Sequence, residues 1–337
     1  MIEIDGSYLE GGGQILRTAC SLSAVTRKPC HVFNIRKGRE KSGLMPQHLL
    51  GIQALTQLCN GRLEGDALGS QEIWFYPGET YRDRVSVNIP TAGSITLVLQ
   101  ILILPALFAS SPIKTTFNGG ATDTFFSPTI DYFKHVFLKI LGEMGAKMEI
   151  NIMKRGFFPE GGARVEATIY PAKLKPVNLL ERGDFKKIVV DSGASEFLKD
   201  KKVAERQVAG VKEVLGKIKL PIEEKIEYYQ TSSPGSQICL MALFDNTVLG
   251  TDNFGRLGKS AETVGQEAAL DLLNEQKSGA CLDRHLADQI LPYLALADGK
   301  SQISVSEITN HCRTNIWVIE KFIPRRFKTK ENLITLL

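Results

Sequence analysis

The sequence lacks the cysteine patterns that hold metals or form redox centres. Its 337 residues include six cysteines, and none of them stands in a Cys-x-x-Cys pair. Scattered cysteines of this kind are typical of reduced, mostly buried thiols, which predicts a cytoplasmic protein. Residues 1–5 carry neither a basic stretch nor an apolar core, so we expect no secretory signal there.

Long apolar runs and a strong charge imbalance are also missing. The most apolar run, residues 95–109, is interrupted by Thr96, Gln100 and Pro105, and it is shorter than the ~20 residues that a membrane helix needs. It predicts a buried helix and no membrane partner. The formal net charge is only +4, which is too small by itself to indicate nucleic-acid binding.

Several catalytic signatures are absent. The sequence contains no His-Glu-x-x-His motif, no calcium-binding loop, no Gly-x-x-x-x-Gly-Lys-Ser/Thr loop and no Gly-x-Ser-x-Gly elbow. These absences argue against a zinc protease, an EF-hand protein, a Walker-type ATPase and an α/β-hydrolase.

The most informative segment that is present runs from Glu10 through three glycines and Gln14 to Arg17. Glycines let the backbone approach a ligand closely, and the free N–H groups at a helix start attract anions. A carboxylate beside a phosphate site is a natural ligand for Mg²⁺. The segment therefore indicates a site for a phosphate group, a metal and an arginine. The alternative is a glycine-rich turn into an ordinary helix.

A basic segment follows. Arg36 and Arg39 stand in a loop broken by two glycines, and Gln47 lies at the start of a predicted helix over residues 46–58. Arginine binds phosphate bidentately, so the loop suits a polyphosphate. A solvated surface loop is the alternative.

Further polar candidates lie later in the chain. Gln100 is a lone amide in the apolar helix, Asp288 lies in a predicted helix over residues 285–296, and His311 lies between a predicted strand (303–307) and a predicted helix (314–322). An imidazole can serve as nucleophile, base or metal ligand. The alternatives are a hydrogen bond from Gln100 to neighbouring backbone, a structural His311, and His285 as the functional histidine.

The order of predicted elements indicates an α/β protein with internal repeats. Residues 55–77 and 138–171 both read as helix, glycine, strand, strand and Tyr-Pro, which predicts similar α/β units. Residues 182–278 differ from this pattern and predict a smaller inserted α/β domain. The larger domain is then formed by residues 1–181 together with 279–337.

Taken together, these segments resemble the RNA 3′-terminal phosphate cyclase family over essentially the whole chain. The segments that carry the resemblance are residues 5–6, 10–17, 35–41, 47–49, 93–100, 119–123, 155–162, 285–289 and 311–317. The resemblance implies a large domain of three repeated βαβαββ-like units with a smaller α/β insertion. It also implies ATP and Mg²⁺ or Mn²⁺ as cofactors and an RNA with a 3′-terminal phosphate as partner. The sequence leaves open whether the chain forms a homodimer.

The resemblance also assigns roles to residues. His311 matches the nucleophile that attacks the α-phosphate of ATP and carries AMP, and AMP then passes to the RNA 3′-phosphate before the 2′-hydroxyl closes the cyclic phosphate. Glu10 matches the metal-binding carboxylate, and Asp288 is expected to orient the nucleotide or His311. The remaining ATP-binding positions by this comparison are Gln14, Arg17, Arg36, Arg39, Gln47, Gln100, Pro128, Tyr132, His285 and Gln289, with Pro128 and Tyr132 beside adenine.

Two other functions and one departure from the family pattern enter the comparison. A non-adenylating, RNA-binding relative of the cyclases would lack His311, and the enolpyruvyl transferases need a longer chain of six such repeats. Directly after the segment from Arg155 to Gly162, Ala163 stands where the family usually has a third glycine. If that position needs a positive φ, alanine strains the loop.

Overall fold

The computed structural model describes residues 1–216 and 221–337. The first unit of the chain forms one four-stranded sheet with two helices. Its elements are β1 (Ile2–Asp5), α1 (Gly13–Thr26), β2 (Cys30–Phe33), α2 (Pro46–Leu58), β3 (Arg62–Glu64) and β4 (Ile73–Tyr76). The strand order is β1-β2-β4-β3, with β1 parallel to β2 and the other pairs antiparallel.

The second unit has the same strand order and directions. Its elements are β5 (Arg84–Ser94), α3 (Ile95–Leu107), β6 (Ile113–Ala121), α4 (Ile130–Tyr132), a π-helical turn (Phe133–Phe137), α5 (Leu138–Glu143), β7 (Lys147–Lys154) and β8 (Arg164–Tyr170). The order is β5-β6-β8-β7, with β5 parallel to β6. Helix α3 is buried on nearly every side, because its residues are almost all apolar and no polar face is left for solvent.

A third sheet is divided along the chain by a fourth. After β9 (Asn178–Leu179), the chain forms β10 (Phe185–Ser195), α6 (Val203–Leu215), β11 (Ile222–Tyr229), β12 (Ser236–Phe244), β13 (Val248–Phe254) and α7 (Ala261–Lys277). Strands β10–β13 form a sheet of order β11-β10-β12-β13. This sheet has a separate apolar core with α6 and α7, in which Val190, Val211, Leu240 and Leu272 are fully buried.

The chain then completes the third sheet. Its last elements are α8 (Arg284–Leu296), β14 (Ser301–Ser304), α9 (Asn310–Phe322), β15 (Phe327–Lys330) and β16 (Leu333–Leu336). The order is β9-β14-β16-β15, with β9 parallel to β14 and the other pairs antiparallel. The larger apolar core is shared by the first, second and third sheets and their helices.

The mixed α/β class is confirmed, and some predicted boundaries are wrong. The helix expected over residues 199–217 begins at Val203 and ends at Leu215, while residue 217 lies outside the described residues. Strand β13 was not predicted, because Gly250 interrupts its β-branched pattern. The helix expected to begin at residue 314 begins at Asn310. The basic segment after it forms the hairpin β15–β16. No helix in the described part of the chain is long and apolar enough to cross a membrane.

Candidate active site

A cavity of about 160 Å³ lies where α1, α3, α8 and α9 meet. Helix α1 packs against α3 and α9, and α8 packs against α9. Eight of the residues predicted from the sequence line this cavity: Gln14, Arg17, Gln100, Pro128, His285, Asp288, Gln289 and His311. Packing therefore brings together side chains that the sequence separates by almost the whole chain length.

The N-terminus of α1 forms one wall. Its N-cap residue, Gly12, has no side chain with which to cap the helix, so the first N–H groups of α1 remain available to an anion. A Cβ on Gly13 would lie only 2.1 Å from Nε2 of His48, and a Cβ on Gly12 would lie 3.3 Å from the guanidinium of Arg39. The glycines therefore allow His48 and Arg39 to approach the backbone of this turn.

His311 is the second residue of α9, whereas the sequence predicted that it would lie between a strand and a helix beginning at residue 314. Thr309 caps this helix by accepting a hydrogen bond from the Cys312 N–H at 3.2 Å. On the other side, the ring of Trp317 stacks on Tyr8 with centroids 4.3 Å apart. This stacking holds the segment before α1 against α9, so Glu10 and His311 lie side by side.

Gln14 fixes the tautomer of His311. The Gln14 amide nitrogen donates to Oδ2 of Asp288 at 2.8 Å and to the His311 carbonyl at 3.3 Å. The amide oxygen is thereby turned toward Nδ1 of His311, with which it forms a short hydrogen bond. Since an amide oxygen can only accept, Nδ1 carries the proton. The lone pair of neutral His311 is therefore on Nε2.

The surroundings keep His311 neutral. Burial lowers the pKa of His311 below its ordinary value, the charges of Arg17 and Arg39 lower it further, and Glu10 acts in the opposite direction. Nε2 lies 3.2 Å from Oε1 of Glu10, and the same oxygen accepts from Arg39 at 2.9 Å. Two lone pairs at this distance repel each other.

Asp288 acts on His311 through Gln14 and not by direct contact. Burial raises the pKa of Asp288 to about 7, although His285 and Arg17 lower it in part. Burial also lowers the pKa of Arg17 to about 10, so Arg17 stays cationic near neutral pH. The Asp288 carbonyl accepts from Asn315 at 2.7 Å, and Thr18 donates to the Asn315 side chain at 2.7 Å.

Thr18 and Asn315 were not chosen from the sequence. Each lies four residues after a predicted site residue, Gln14 and His311 respectively, and so lies on the same helix face. This spacing could have identified both residues. His48 is buried behind the α1 turn, against Gly13, and its pKa is lowered to about 3 by burial and by the charges of Arg17 and Arg36.

The amide of Gln100 is paired with another side chain and not with neighbouring backbone. Its nitrogen donates to Oε1 of Gln289 at 3.0 Å, and the Gln289 nitrogen donates to the His285 carbonyl at 2.9 Å. These amides lie on one wall of the cavity, and Pro128, Phe137 and Tyr293 add apolar surface to it. Apolar walls with a few fixed polar groups suit a flat heterocycle.

Tyr132 is not part of this cavity wall. Its side chain is 1 % exposed, and its hydroxyl donates to Asp283 at 2.6 Å. Asp283 in turn caps α8 by accepting from the N–H groups of His285 and Leu286. Tyr132 therefore lies behind the cavity lining, where its ring and hydroxyl support the start of α8. Tyr293 and Phe137 are aromatic residues that do line the cavity.

Arg36 and Gln47 also lie outside the lining of the cavity. Burial and the neighbouring charge of Arg39 lower the pKa of Arg36. Gln47 is the second residue of α2 and is half-buried beside His48. Arg36, Arg39 and Gln47 thus belong to the loop and helix start that face the α1 turn.

The residues around Glu10 fit a divalent metal that is held mainly by the phosphates of a bound small molecule. Mg²⁺ is commonly bound by one or two carboxylates together with substrate phosphates and water. Within the described residues, the one group of three side chains close enough to hold an ion consists of Asp131, His135 and Asp191, and Glu10 is not among them. Glu10 can therefore supply one ligand to a metal that phosphate oxygens also hold.

The Ala163 position is unstrained. Its φ is not positive, unlike those of Gly161 at +73° and Gly162 at +74°. The Ala163 N–H donates to the carbonyl of Gly120 at 3.1 Å, and its carbonyl accepts from Gly119 at 2.8 Å. The methyl group is fully buried. The strain considered for alanine at this position is therefore absent.

Comparison with known proteins identifies the family of the chain. The sequence model of a family described as RNA 3′-terminal phosphate cyclase matches residues 8–329. The chain belongs to the RNA 3′-terminal phosphate cyclase family. Proteins named RNA 3′-terminal phosphate cyclase from Pyrococcus abyssi and Thermococcus kodakarensis are both 44 % identical, over 97 % and 98 % of this chain and 94 % of each relative. The protein of that name from Archaeoglobus fulgidus is 43 % identical over 99 % of both chains. The chain is thus similar to these enzymes over almost all of their length.

Proposed function

We propose that this protein uses ATP to convert an RNA 3′-terminal phosphate into a 2′,3′-cyclic phosphate through a His311–AMP intermediate. Family membership supports the RNA cyclase activity. The geometry of His311 supports the covalent route, because Gln14 leaves Nε2 unprotonated and Glu10, Arg17 and Arg39 surround it. A base or a metal ligand would not by itself require two arginines near the ring.

In the first step, the Nε2 lone pair of His311 attacks the α-phosphorus of ATP. The bond from the α-phosphorus to the bridging oxygen breaks, and pyrophosphate leaves with that electron pair. Nδ1 keeps its proton, and the Nδ1–H group remains hydrogen-bonded to the amide oxygen of Gln14 as positive charge develops on the ring. Arg17, Arg39 and the N–H groups at the start of α1 offset the charge on the departing pyrophosphate. Arg36 and Gln47 would bind its outer oxygens.

Glu10 would hold Mg²⁺ or Mn²⁺ against the triphosphate, and such a metal polarises phosphate oxygens and orients them. Binding to a metal would also draw the Glu10 carboxylate away from Nε2 of His311. Gln100, Gln289, His285 and Pro128 would hold the nucleoside of ATP, since they line the cavity next to His311.

In the second step, an oxygen of the RNA 3′-phosphate attacks the phosphorus of the His311-bound AMP. The P–N bond breaks and its electron pair returns to Nε2, which leaves an RNA–pp–A end. In the third step, the adjacent 2′-hydroxyl oxygen attacks the 3′-phosphorus and AMP departs. The hydroxyl proton passes to solvent. The products are a 2′,3′-cyclic phosphate and AMP.

For the whole molecule we propose three βαβαββ units in one catalytic domain (residues 1–181 and 279–337), with residues 182–278 as an inserted domain. The equal strand orders of three sheets and the separate apolar core of the fourth support this division. All six cysteines are free and buried, which supports a reducing, cytoplasmic environment.

The test is transfer of label from ATP to the protein. The protein is incubated with ATP labelled at the α-phosphate and with Mg²⁺ or Mn²⁺, and acid-labile, alkali-stable label on the chain is measured. We expect labelling of the wild type and of His285→Ala, and none of His311→Ala. Label lost only in His285→Ala would reassign the nucleophile. An unlabelled wild type under both metals would favour a non-adenylating, RNA-binding relative.

A further inference from the structure

A second cavity, of about 780 Å³, lies beside the nucleotide cavity, between the turn after β6 and the inserted segment. Phe126 lines both cavities. Its side chain is 95 % exposed, and its φ of +63° is a backbone conformation that bulky residues rarely adopt. We call the second cavity the Phe126 groove. A chain that leaves the nucleotide cavity past Phe126 enters this groove.

The Phe126 groove is lined by aromatic rings with free surface. Phe125 packs edge-on against Phe158 and Phe254, with ring centroids 6.0 and 5.7 Å apart. Phe158 is 56 % exposed, although it belongs to the tightly packed segment from Arg155 to Gly162. Exposed aromatic patches on folded proteins mark binding surfaces. Edge-on packing leaves ring faces on which another flat group can stack.

One cation in the groove, Arg256, is not held in a salt bridge within the described part of the chain, although it lies near enough to Glu267 to lower the pKa of that carboxyl group. Arg256 lies over the ring of Phe125, with its guanidinium carbon 4.9 Å from the centroid, and it forms no salt bridge with any residue in the described ranges 1–216 and 221–337. The other two cations of the wall are paired, Arg206 with Glu262 at 2.6 Å and Lys259 with Glu267 at 2.6 Å. The groove thus offers stacking surfaces and a positive charge.

We propose that the Phe126 groove binds the unpaired nucleotides that precede the 3′-terminal phosphate of the RNA. This inference rests on the proposed function. Flat bases stack on exposed rings such as Phe158 and Phe126, and a backbone phosphate pairs with Arg256, which is the combination that single-stranded nucleic-acid sites use. An apolar peptide would use the rings but would leave Arg256 uncompensated. The groove also continues from the cavity in which the RNA end must react.

The experiment compares short and long substrates. Michaelis constants are measured for 3′-phosphorylated oligoribonucleotides of two and eight nucleotides with the wild type, Phe158→Leu, Phe158→Trp and Arg256→Gln. Label transfer from ATP to His311 is measured in parallel. We expect a lower KM for the eight-mer than for the two-mer in the wild type. Phe158→Leu should raise the eight-mer KM by about tenfold, the scale of one lost stacking contact.

The other results follow from the same geometry. The two-mer KM and the labelling of His311 should not change in Phe158→Leu or Arg256→Gln, because neither residue lines the nucleotide cavity. Phe158→Trp should keep the wild-type KM, since it keeps a stacking face. Phe197→Leu and Arg84→Gln are matched controls, because both residues are exposed and lie outside the groove, and neither should alter the eight-mer KM.

The proposal is overturned if Phe158→Leu and Arg256→Gln keep the wild-type dependence on RNA length. It is also overturned if Phe158→Leu changes a dimer into a monomer in sedimentation while the eight-mer KM stays the same, because the groove would then be a contact between copies. If the wild type cyclises neither oligonucleotide, the proposed function fails. Fluorescence anisotropy of a labelled eight-mer without ATP then tests RNA binding by the groove independently of catalysis. Weaker binding by both variants supports the groove proposal, and binding equal to that of the wild type overturns it.

Discussion

The cluster around His311 and the cluster around Arg155 both contain arginine and aspartate, but their bonding differs. Arg155 forms two hydrogen bonds to Asp131, at 2.7 and 2.6 Å, and one to Asp123 at 3.2 Å. All three side chains are nearly inaccessible to solvent. Arg17, by contrast, faces a cavity and forms no salt bridge with any residue among 1–216 and 221–337. A charge left unpaired next to open space is one that a ligand can pair with.

The pKa values in the two clusters follow from this difference. Burial would raise the pKa of Asp131, but the charge and hydrogen bonds of Arg155 outweigh burial and lower it. Asp123 receives less of that compensation, and burial raises its pKa to about 6. Asp288 has only partial compensation from His285 and Arg17, and its pKa rises to about 7. The cavity cluster is thus held close to a change of protonation near neutral pH.

The largest effect is expected from breaking the buried cluster. Arg155→Met leaves Asp131 charged and unpaired in the interior, so we expect a loss of about 3–5 kcal/mol in the free energy of unfolding. Urea unfolding at pH 7 measures it. Arg84→Met, which changes an exposed arginine, is the control and should stay within about 0.5 kcal/mol of the wild type. A loss in Arg155→Met as small as in the control would contradict the structural role.

In the cavity cluster, replacing Gln14 should change the reaction rate. Gln14→Leu removes the group that fixes the Nδ1–H tautomer of His311, so we expect self-adenylylation to slow by about 100-fold or more. Other enzymes lose more activity than this when the catalytic histidine is held in the wrong tautomer. Quench-flow labelling with ATP measures this rate. Gln53→Leu, on the exposed face of α2, should leave it unchanged. A Gln14→Leu protein that labels at the wild-type rate would sink the tautomer assignment.

Asp288 should make the stability of the protein depend on pH. Its pKa is about 7 in the folded state and near its ordinary value of ~3.9 in the unfolded state. Between these values the folded state binds more protons, so stability is highest at low pH and falls as the pH rises to 7. Between pH 5 and pH 8, the free energy of unfolding of Asp288→Asn should fall by about 2 kcal/mol less than that of the wild type. Parallel urea curves at the two pH values test this, and equal losses would show that Asp288 is ionised throughout.

A smaller effect is expected at the loop that presents Phe158. Since Ala163 has an ordinary φ and a buried methyl group, the family's glycine should not relieve any strain here. Ala163→Gly should therefore lower the free energy of unfolding by about 1 kcal/mol. Thermal unfolding of the two proteins measures the difference. A gain in stability would mean that the backbone at this position prefers a glycine conformation.

The smallest effect concerns the balance of charges at His311. Removing the carboxylate in Glu10→Gln should lower the pKa of His311 further, and removing the cation in Arg39→Gln should raise it. NMR titration of ¹³C-labelled histidine resolves the five histidines of the chain, and the His311 signal is assigned by its loss in His311→Asn. Shifts of the same sign in both variants would be incompatible with the opposite charges of Glu10 and Arg39 near the ring.

Much of the fold could be predicted locally. Helix α2 and strand β4 were predicted with their observed bounds, because Pro46 starts a helix well and the β4 pattern alternates. The hairpin β15–β16 was not, because its lysines and threonines read as a charged tail. Its strands are held by pairing with each other and with β14, at the edge of a sheet whose first strand, β9, lies over a hundred residues earlier.

The sequence by itself determined which chemical groups are available: a carboxylate before three glycines, cations, amides and one histidine at a helix start. The tertiary structure decided which of them act together. Gln14 and His311 lie 297 positions apart, and they meet because α1 and α9 bury their apolar faces against each other. Packing also buries Tyr132, so that its hydroxyl binds Asp283 and supports the start of α8. The tautomer of His311 and the pKa of Asp288 depend on distances between side chains and on burial. Both are set by the packing of distant segments and cannot be read from any one segment of the chain.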